Sequence, residues 1–396
     1  MLGSALAAGE GVGAQTAPAP AETAITWKGA PEFRSGGWTF KPRGRVFLDF
    51  VHQEVEGGAS VAEDTANDAR VRTARLGVQG SWNDRFRYVA EASIANGDLQ
   101  WEDLLLEIAP SDHTTLSVGN FKTVSLENTT SARYTTFMER GPFNDVLGVG
   151  RTLNLAGSVN GDAWMATAAL SGDDVNDLDV AGNETVAVSG RMTFAPLVTE
   201  TARVHLGGWI RHRDRGDGDA LRYRARPNTN YGERYIDTGA IGASDTTVAA
   251  EAAVVVRNVS VQGEYARVSA ERAAGAEVDL DAFYVFASWF PTGEMRNYQP
   301  DAGEFGRTPV LRPVTAGGPG AIELALRYDR VDLGGARVGV APARAGEYEG
   351  VTLGANWYPF PYVRFMANYT VGENDNPVDA FDADADTFQV RAQFDF

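Results

Sequence analysis

The last nine residues alternate strictly, with Phe388, Val390, Ala392, Phe394 and Phe396 apolar and Gln389, Arg391, Gln393 and Asp395 polar between them. A period of two sends these sets to opposite faces of an extended chain, so the segment predicts a strand with one apolar and one polar face. The stretches before it repeat the pattern. Val363, Phe365, Ala367, Tyr369 and Val371 alternate with Arg364, Asn368 and Thr370. Val351, Leu353, Ala355 and Trp357 alternate with Thr352, Gly354 and Asn356, and the two runs meet at a tight turn around Pro359 to Pro361. Similar periods recur near residues 43–53, 70–81, 84–95, 101–109, 114–122, 150–159, 162–171, 185–195, 201–213, 247–257, 258–268, 279–290 and 320–332, making sixteen predicted strands.

The connections alternate in length. Short ones fall at Asn83 and Asp84, Pro110 to His113, Asn160 to Asp162, and Arg257 and Asn258. Long ones, rich in Gly, Asp and Asn, span about 54–69, 123–149, 172–184, 214–246, 333–347 and 373–385. An outer-membrane barrel needs short periplasmic turns and long external loops, whereas a soluble β-repeat has no reason for the asymmetry. One long connection, 291–319, falls on the short-turn side and breaks the rule. No run approaches the roughly 18 apolar residues of a membrane helix; the best, Ala282 to Phe290, is short and flanked by charge. A closed barrel also satisfies every backbone polar group inside lipid. The expectation is an all-β fold, a transmembrane antiparallel β-barrel of about 16 strands. Trp82, Trp289, Phe290, Trp357, Tyr358 and Tyr362 near strand ends suit aromatic girdles.

Leu2 to Ala8 followed by Gly13, Ala14 and Gln15 reads as the end of a secretory signal without its basic start, or as a disordered Ala/Pro tail. Residues 1–26 are therefore assigned no part in the fold, and 27–396 form a single barrel. The absence of Cys excludes disulfides and thiol catalysis, and a net charge of −18 argues against a nucleic-acid partner. The four histidines, His52, His113, His205 and His212, are scattered, and there is no G-x-S-x-G motif or metal-spaced pair, so neither an enzyme nor a cofactor is expected.

Charge becomes informative in its distribution. Of 35 basic residues only Lys28, Lys41 and Lys122 are lysine, so 32 are arginine, whose fixed fork of donors meets oxyanions two oxygens at a time. If the apolar parity faces lipid, then Arg45, Arg75, Arg87, Arg203, Arg211, Arg213, Arg327, Arg364 and Arg391 face the lumen, with Asp49, Glu91, Glu251, Glu264, Glu323, Asp329 and Asp395 beside them. Much of that set reads equally well as an ion-pair network bracing the wall. Arg222, Arg224 and Arg226 are different, because an extended chain puts them on one side about 6.5 to 7 Å apart with no acidic residue among them. Such a row suits an anion or phosphate pore, or an external loop that pairs with lipopolysaccharide phosphates. Loop 123–149 is long enough to enter and narrow the barrel, and Lys122, Ser125, Thr129, Thr130 and Arg133 near its start offer donors for a hydrated oxyanion. Acidic clusters at Asp173, Asp174, Asp177 and Asp179, and at Asp375, Asp379, Asp382, Asp384 and Asp386, read as solvated loop surface, since their spacing departs from a calcium loop.

From about residue 27 onward the chain resembles the phosphate-selective porin O and P family. The similar stretches are Arg43 to Asp49, Ala74 to Val78, Gly119 to Lys122 with Ser125 to Glu127, Thr136 to Arg140, Arg224 to Pro227, and Pro291 to Tyr298. The resemblance implies a sixteen-stranded homotrimer in the outer membrane of a Gram-negative bacterium, a passive channel for inorganic phosphate, polyphosphate or other small anions. It also implies a constriction formed by the loop after Phe121, an arginine ladder from loop 214–246, and a periplasmic segment, 291–319, folded inward. Lys122 and Ser125 match the family's anion-binding positions, Arg133 matches with a shift of one residue, and Arg222, Arg224 and Arg226 match the ladder. With Arg75, Arg211 and Arg213 these make up the expected anion path. The family's additional lysines at the two mouths are missing, since the other lysines lie before residue 42. A carboxylate pore, or a structural or receptor barrel with a plugged lumen, would use similar arginines.

Overall fold

The computed structural model describes residues 23–61, 64–95, 97–177, 185–216, 221–272, 275–337 and 345–396. The signal-peptide reading of residues 1–22, and Asp179 of the first acidic cluster, lie outside the described residues. In chain order the first strands are β1 (Ala24–Trp27), β2 (Pro31–Ser35), β3 (Trp38–Gly57), β4 (Asp64–Trp82), β5 (Phe86–Ser93), β6 (Gln100–Ser111) and β7 (Thr114–Phe121). Two short helices follow, α1 (Leu126–Thr129) and α2 (Pro142–Leu147). Then come β8 (Thr152–Gly161), β9 (Trp164–Ser171), β10 (Val186–Val198), β11 (Ala202–Asp214), β12 (Leu221–Ala225), β13 (Ile236–Gly242), β14 (Ser244–Val256), β15 (Val259–Glu271) and β16 (Glu277–Trp289). The chain ends with β17 (Tyr298–Gln299), β18 (Glu304–Phe305), β19 (Ala321–Asp332), β20 (Glu347–Phe360), β21 (Val363–Asp375) and β22 (Ala383–Asp395).

Sixteen of these, β3 to β11, β14 to β16 and β19 to β22, pair antiparallel with their neighbours in the ring, and β22 closes it on β3 from Ala383↔Gly57 to Asp395↔Arg45. Closure leaves no edge, the condition for a sheet to cross lipid. Burial is inverted relative to a soluble protein. In β22 the polar Gln389, Arg391, Gln393 and Asp395 are buried, while Phe388 and Phe394 are 41% and 45% exposed on the outer wall. Trp82, Trp289 and Trp357 are also exposed outside, and Trp82 stacks between Trp38 and Phe86. Phe290 and Tyr358 depart from the expected girdle. Phe290 is 1% exposed, and the Tyr358 hydroxyl donates to Glu323 at 2.8 Å inside the barrel.

The sequence places fold-bearing chain three residues too late, because Ala24–Trp27 pairs with β2, and β2 extends the turn end of β3 through Phe33↔Phe40. The link between β2 and β3 requires Gly37, whose φ is +82° and where a Cβ would sit 2.1 Å from Asn83 Oδ1.

The lumen is divided. Loop 123–149 and the β12–β13 hairpin enter it and form an apolar core against one side of the wall. Phe143, Val146, Leu147, Tyr223 and Ile236 pack there on Ala249, Ala266, Ala282, Tyr284 and Phe286 of β14, β15 and β16. Fully burying each large side chain of this kind is worth about 1.5–3 kcal/mol. Alanines on the wall give the loops room. The segment between β16 and β19 enters from the opposite end, where Tyr298 and Phe305 pack with Leu126, Ala195, Ala253 and Val255. This division explains why Ala282 to Phe290 carries no polar alternation: its outer residues meet lipid and its inner ones meet the inserted loops.

Candidate functional site

Opposite that core, between loop 123–149 and the inner face of β3 to β10, lies a water-accessible cavity of about 950 Å³. Its floor reaches the turn-end residues Asn83, Asp84, Ser111, Asp112 and Asn160, and its lining carries ten Arg and Lys against six Asp and Glu. The inward parity of the long strands β3 and β4 supplies Arg43, Arg45 and Arg75, and Arg151 stands just before β8. Arg43 and Arg45 both reach Glu91 at 2.8 Å, Arg75 reaches Glu102 at 2.7 Å, and Arg151 reaches Glu102 at 2.8 Å and Asp103 at 2.7 Å. Four guanidiniums thus share three carboxylates.

The loop cations differ in kind. Lys122 Nζ donates to the Asn128 carbonyl at 3.1 Å, and Arg140 donates through Nε to the Glu127 carbonyl at 2.9 Å and through Nη2 to the Thr130 carbonyl at 2.5 Å. These acceptors lie in and just after α1, so main-chain dipoles orient both side chains without cancelling their charge. Arg133 lies against the Tyr134 ring, 5.4 Å from its centroid. Among the described residues none of the three has a carboxylate within 4.0 Å. Burial, then the neighbouring Arg140 and Arg151, push Lys122 well below its ordinary value. Burial likewise lowers Arg140 to about 10, with Glu127 opposing and Arg151 reinforcing the shift. An entering anion would relieve this mutual repulsion.

Of the residues expected from sequence, Arg75, Lys122 and Arg133 line the cavity together. Ser125 does not. Its side chain is fully buried, with Oγ donating to Glu264 Oε1 at 3.1 Å and capping the Asn128 N–H at 3.2 Å, while the Leu126 and Glu127 amides also donate to Glu264. A wall carboxylate therefore occupies the place that a bound anion would take. Arg211 and Arg213 face the packed core. Arg211 donates to the Leu147 and Gly148 carbonyls at 2.5 and 3.0 Å, and Arg213 pairs with Asp245. Arg222, Arg224 and Arg226 do share one side of β12 and the residue after it, as the spacing requires. No acidic residue lies among them in the sequence, but the fold brings one to Arg222. Asp237 of β13 accepts from Arg222 Nε at 2.7 Å, because the hairpin folds that carboxylate back alongside it. Arg224 has no carboxylate partner among the described residues, and Arg226 Nε donates to the Gly232 carbonyl at 2.8 Å.

Sequence reasoning missed Arg140, Arg151 and Glu304. Arg140 was visible as the end of the Thr136 to Arg140 stretch, but only the fold of the loop turns it toward Lys122. The lumen arginines of the packed side are neutralised as the ion-pair reading anticipated. Arg327 bridges Glu127 at 2.6 Å and Asp329 at 2.7 Å, and Arg391 bridges Asp49 at 2.7 Å and Glu139 at 2.6 Å.

Comparison with known proteins agrees with this architecture. A Caulobacter vibrioides protein, described as uncharacterized, is 28% identical over 365 residues, covering 89% of this chain and 72% of that protein. Among solved structures, the loop L8 deletion mutant of OmpT from Vibrio cholerae superposes with a TM-score of 0.58 at 14% identity, covering 91% of this chain and 100% of the other. Pseudomonas putida OprB gives 0.56 at 9% identity, covering 91% and 94%. The anion-selective porin from Comamonas acidovorans gives 0.55 at 12% identity, covering 91% and 100%. At these identities the likeness establishes the fold. The sequence model of the phosphate-selective porin O and P family matches residues 40–396. A closed sixteen-stranded barrel with inward-folded loops, a cationic lumen and that match together establish that the chain belongs to the phosphate-selective porin O and P family of outer-membrane porins.

Proposed function

We propose that the protein is a passive anion channel with phosphate as its preferred solute, and that Lys122, Arg133 and Arg140 hold the anion while Arg75 and Arg151 line its path. The observation that carries this reading is the presence of three cavity cations held by carbonyls and an aromatic face rather than by carboxylates. A cation already paired has little left for a solute, whereas one oriented by neutral dipoles keeps its full attraction. Arg224 and Arg226 act as an outer collecting site, and Arg222 contributes less because Asp237 holds it. Arg211, Arg213 and Ser125 position the inward loop. The chemistry requires neither a cofactor nor a catalytic residue, since conduction needs binding that is favourable but shared among sites. We further propose a trimer in contact with outer-membrane lipid and lipopolysaccharide. The trimeric form of Vibrio cholerae OmpT, of similar fold, supports the assembly.

The test is single-channel recording of the purified protein in planar bilayers, with reversal potentials in a KCl gradient and titration of phosphate against the chloride current. An anion-selective current inhibited by phosphate, with the inhibition weakened in Lys122→Ala and Arg140→Ala, supports the reading. Cation selectivity, or no current, overturns it in favour of a plugged structural or receptor barrel. Equal inhibition by phosphate and by small carboxylates points to a general organic-anion pore.

A further inference from the structure

Arginine and lysine are donors only, so a lumen built from them alone attracts every small anion and has no means of telling phosphate from sulfate or chloride. What distinguishes phosphate near neutral pH is the proton that it carries, and only an acceptor can read a P–OH group. The cavity contains such an acceptor. Glu304 lines it together with Lys122, Arg133 and Arg140. Unlike Glu91, Glu102 and Asp103, it has no ion-pair or hydrogen-bond partner for its carboxylate among the described residues.

Its placement is built from several directions. Glu304 and Phe305 form β18, paired with β17 through Tyr298↔Phe305 and Gln299↔Glu304. Arg296 lies over the Phe305 ring at 3.8 Å, and the Tyr298 hydroxyl bonds His205 Nδ1 at 2.6 Å. Arg191, itself paired to Glu251, donates to the Gly303 carbonyl at 2.7 Å. Gly303 has φ +61°, and a Cβ there would lie 2.7 Å from Thr193 Oγ1, so the hairpin sits tight on the wall. On the other side the Phe305 N–H donates to Thr130 Oγ1 at 3.3 Å, the residue whose carbonyl holds Arg140. The hairpin is thus tied both to the wall and to the loop that carries the cations.

Resting on the anion-channel reading above, we infer that Glu304 is a specificity-determining residue: its carboxylate accepts the P–OH proton of a phosphate held by Lys122 and Arg140, and repels anions that carry no proton. An O–H···O⁻ contact is short and charge-assisted, and it offsets the like-charge repulsion that sulfate and chloride feel in full. The charged groups acting on Glu304 are Arg191 from β10, Asp103 from β6, Asp301 from its own hairpin and Lys122 from the loop. Burial, the largest influence, and the two aspartates raise its carboxyl to about 7 against the pull of the two cations. In its protonated form the same group donates to a phosphate oxygen instead.

The experiment measures inhibition of the chloride current by phosphate, arsenate, sulfate and dimethyl phosphate, using the whole protein in bilayers at pH 6 and pH 8. At pH 8, where Glu304 is ionised, wild type should be inhibited by phosphate and arsenate at concentrations at least tenfold below those needed for sulfate or dimethyl phosphate, which have no proton to give, and at pH 6, where it is protonated, that ratio should narrow. In Glu304→Gln the sulfate inhibition should strengthen several-fold while that of phosphate changes little, so the ratio collapses. Asp301→Asn should strengthen all four about equally. If Glu304→Gln also strengthens all four equally, Glu304 acts only as bulk charge and the inference is overturned while the anion pore stands. Should the variant fail to insert, sulfate inhibiting wild type as strongly as hydrogen phosphate at pH 8, where the two carry equal charge and Glu304 is ionised, overturns it as well. A wild-type channel with no anion selectivity would remove both readings together.

Discussion

The two halves of the barrel wall use one alphabet for opposite ends. Around β14 to β22 the inner face carries Arg327, Arg364 and Arg391, and each is almost completely buried and consumed, by Glu127 and Asp329, by the Thr135 carbonyl and Gln393, or by Asp49 and Glu139. Around β3 to β8 the inner wall carries Arg43, Arg45, Arg75 and Arg151, which share too few carboxylates and border open space. The difference arises from what covers the wall. On one side the loops bring apolar side chains, so any polar group beneath them must find a partner or pay the cost of desolvation. On the other side water remains, and a cation can stay without a counter-charge. Arginine in a porin lumen is therefore structural or functional according to the loop above it.

Breaking the packed half should have the largest effect. Arg327→Ala leaves Glu127 and Asp329 buried without their cation, a loss of about 3–5 kcal/mol for a broken buried pair. The expected outcome is a lower midpoint in urea unfolding followed by far-UV circular dichroism, together with noisy, enlarged conductance as loop 123–149 loosens. An unchanged midpoint would mean that the two halves are not built differently.

On the open half the fold should survive and selectivity should fall. Lys122→Ala and Arg140→Ala are each expected to weaken phosphate inhibition of the chloride current roughly tenfold, about 1.4 kcal/mol, with the unfolding midpoint moved by less than about 1 kcal/mol. A variant that unfolds instead would place these cations with the structural set.

The pH dependence sharpens the same contrast. Burial and the neighbouring arginines lower the value of Lys122, so its charge is lost as pH rises, before an ordinary lysine would titrate. Anion selectivity should therefore decline at a lower pH than an ordinary lysine would dictate, and Lys122→Arg, which keeps its charge, should remove that decline. A wild-type pH profile of selectivity identical to that of Lys122→Arg would contradict it.

The smallest effect is expected at Arg222. Its pair with Asp237 is half exposed, and such pairs contribute about 0–1 kcal/mol. Arg222→Ala should leave stability and phosphate inhibition within twofold of wild type, whereas the double variant Arg224→Ala with Arg226→Ala should slow phosphate entry, read as fewer blocking events per second. Equal effects from all three would restore an undivided ladder.

Alternation alone determined much of this protein. A two-residue period repeated sixteen times, with long and short connections in turn, specifies a closed barrel, because lipid outside and polar groups inside are the one arrangement in which every strand's two faces are satisfied. Arg75 and Lys122 were legible for the same reason, lying at or beside strands whose parity is unambiguous, whereas Arg133 was legible through its place in the loop after Phe121 and the family resemblance. Parity stops at the loops. Nothing local in Ser125 announces that Glu264 of β15 takes its hydroxyl, or that Asp237 returns to Arg222, since these partners are far apart in sequence or are joined only by the fold of a hairpin. Arg140 and Glu304 lie outside the barrel strands, and no period says which way they point. Which cations stay free is decided by how the inward loops divide the lumen into a dry half and a wet half, and that division depends on packing volumes and on long-range contacts, not on any residue's own preference.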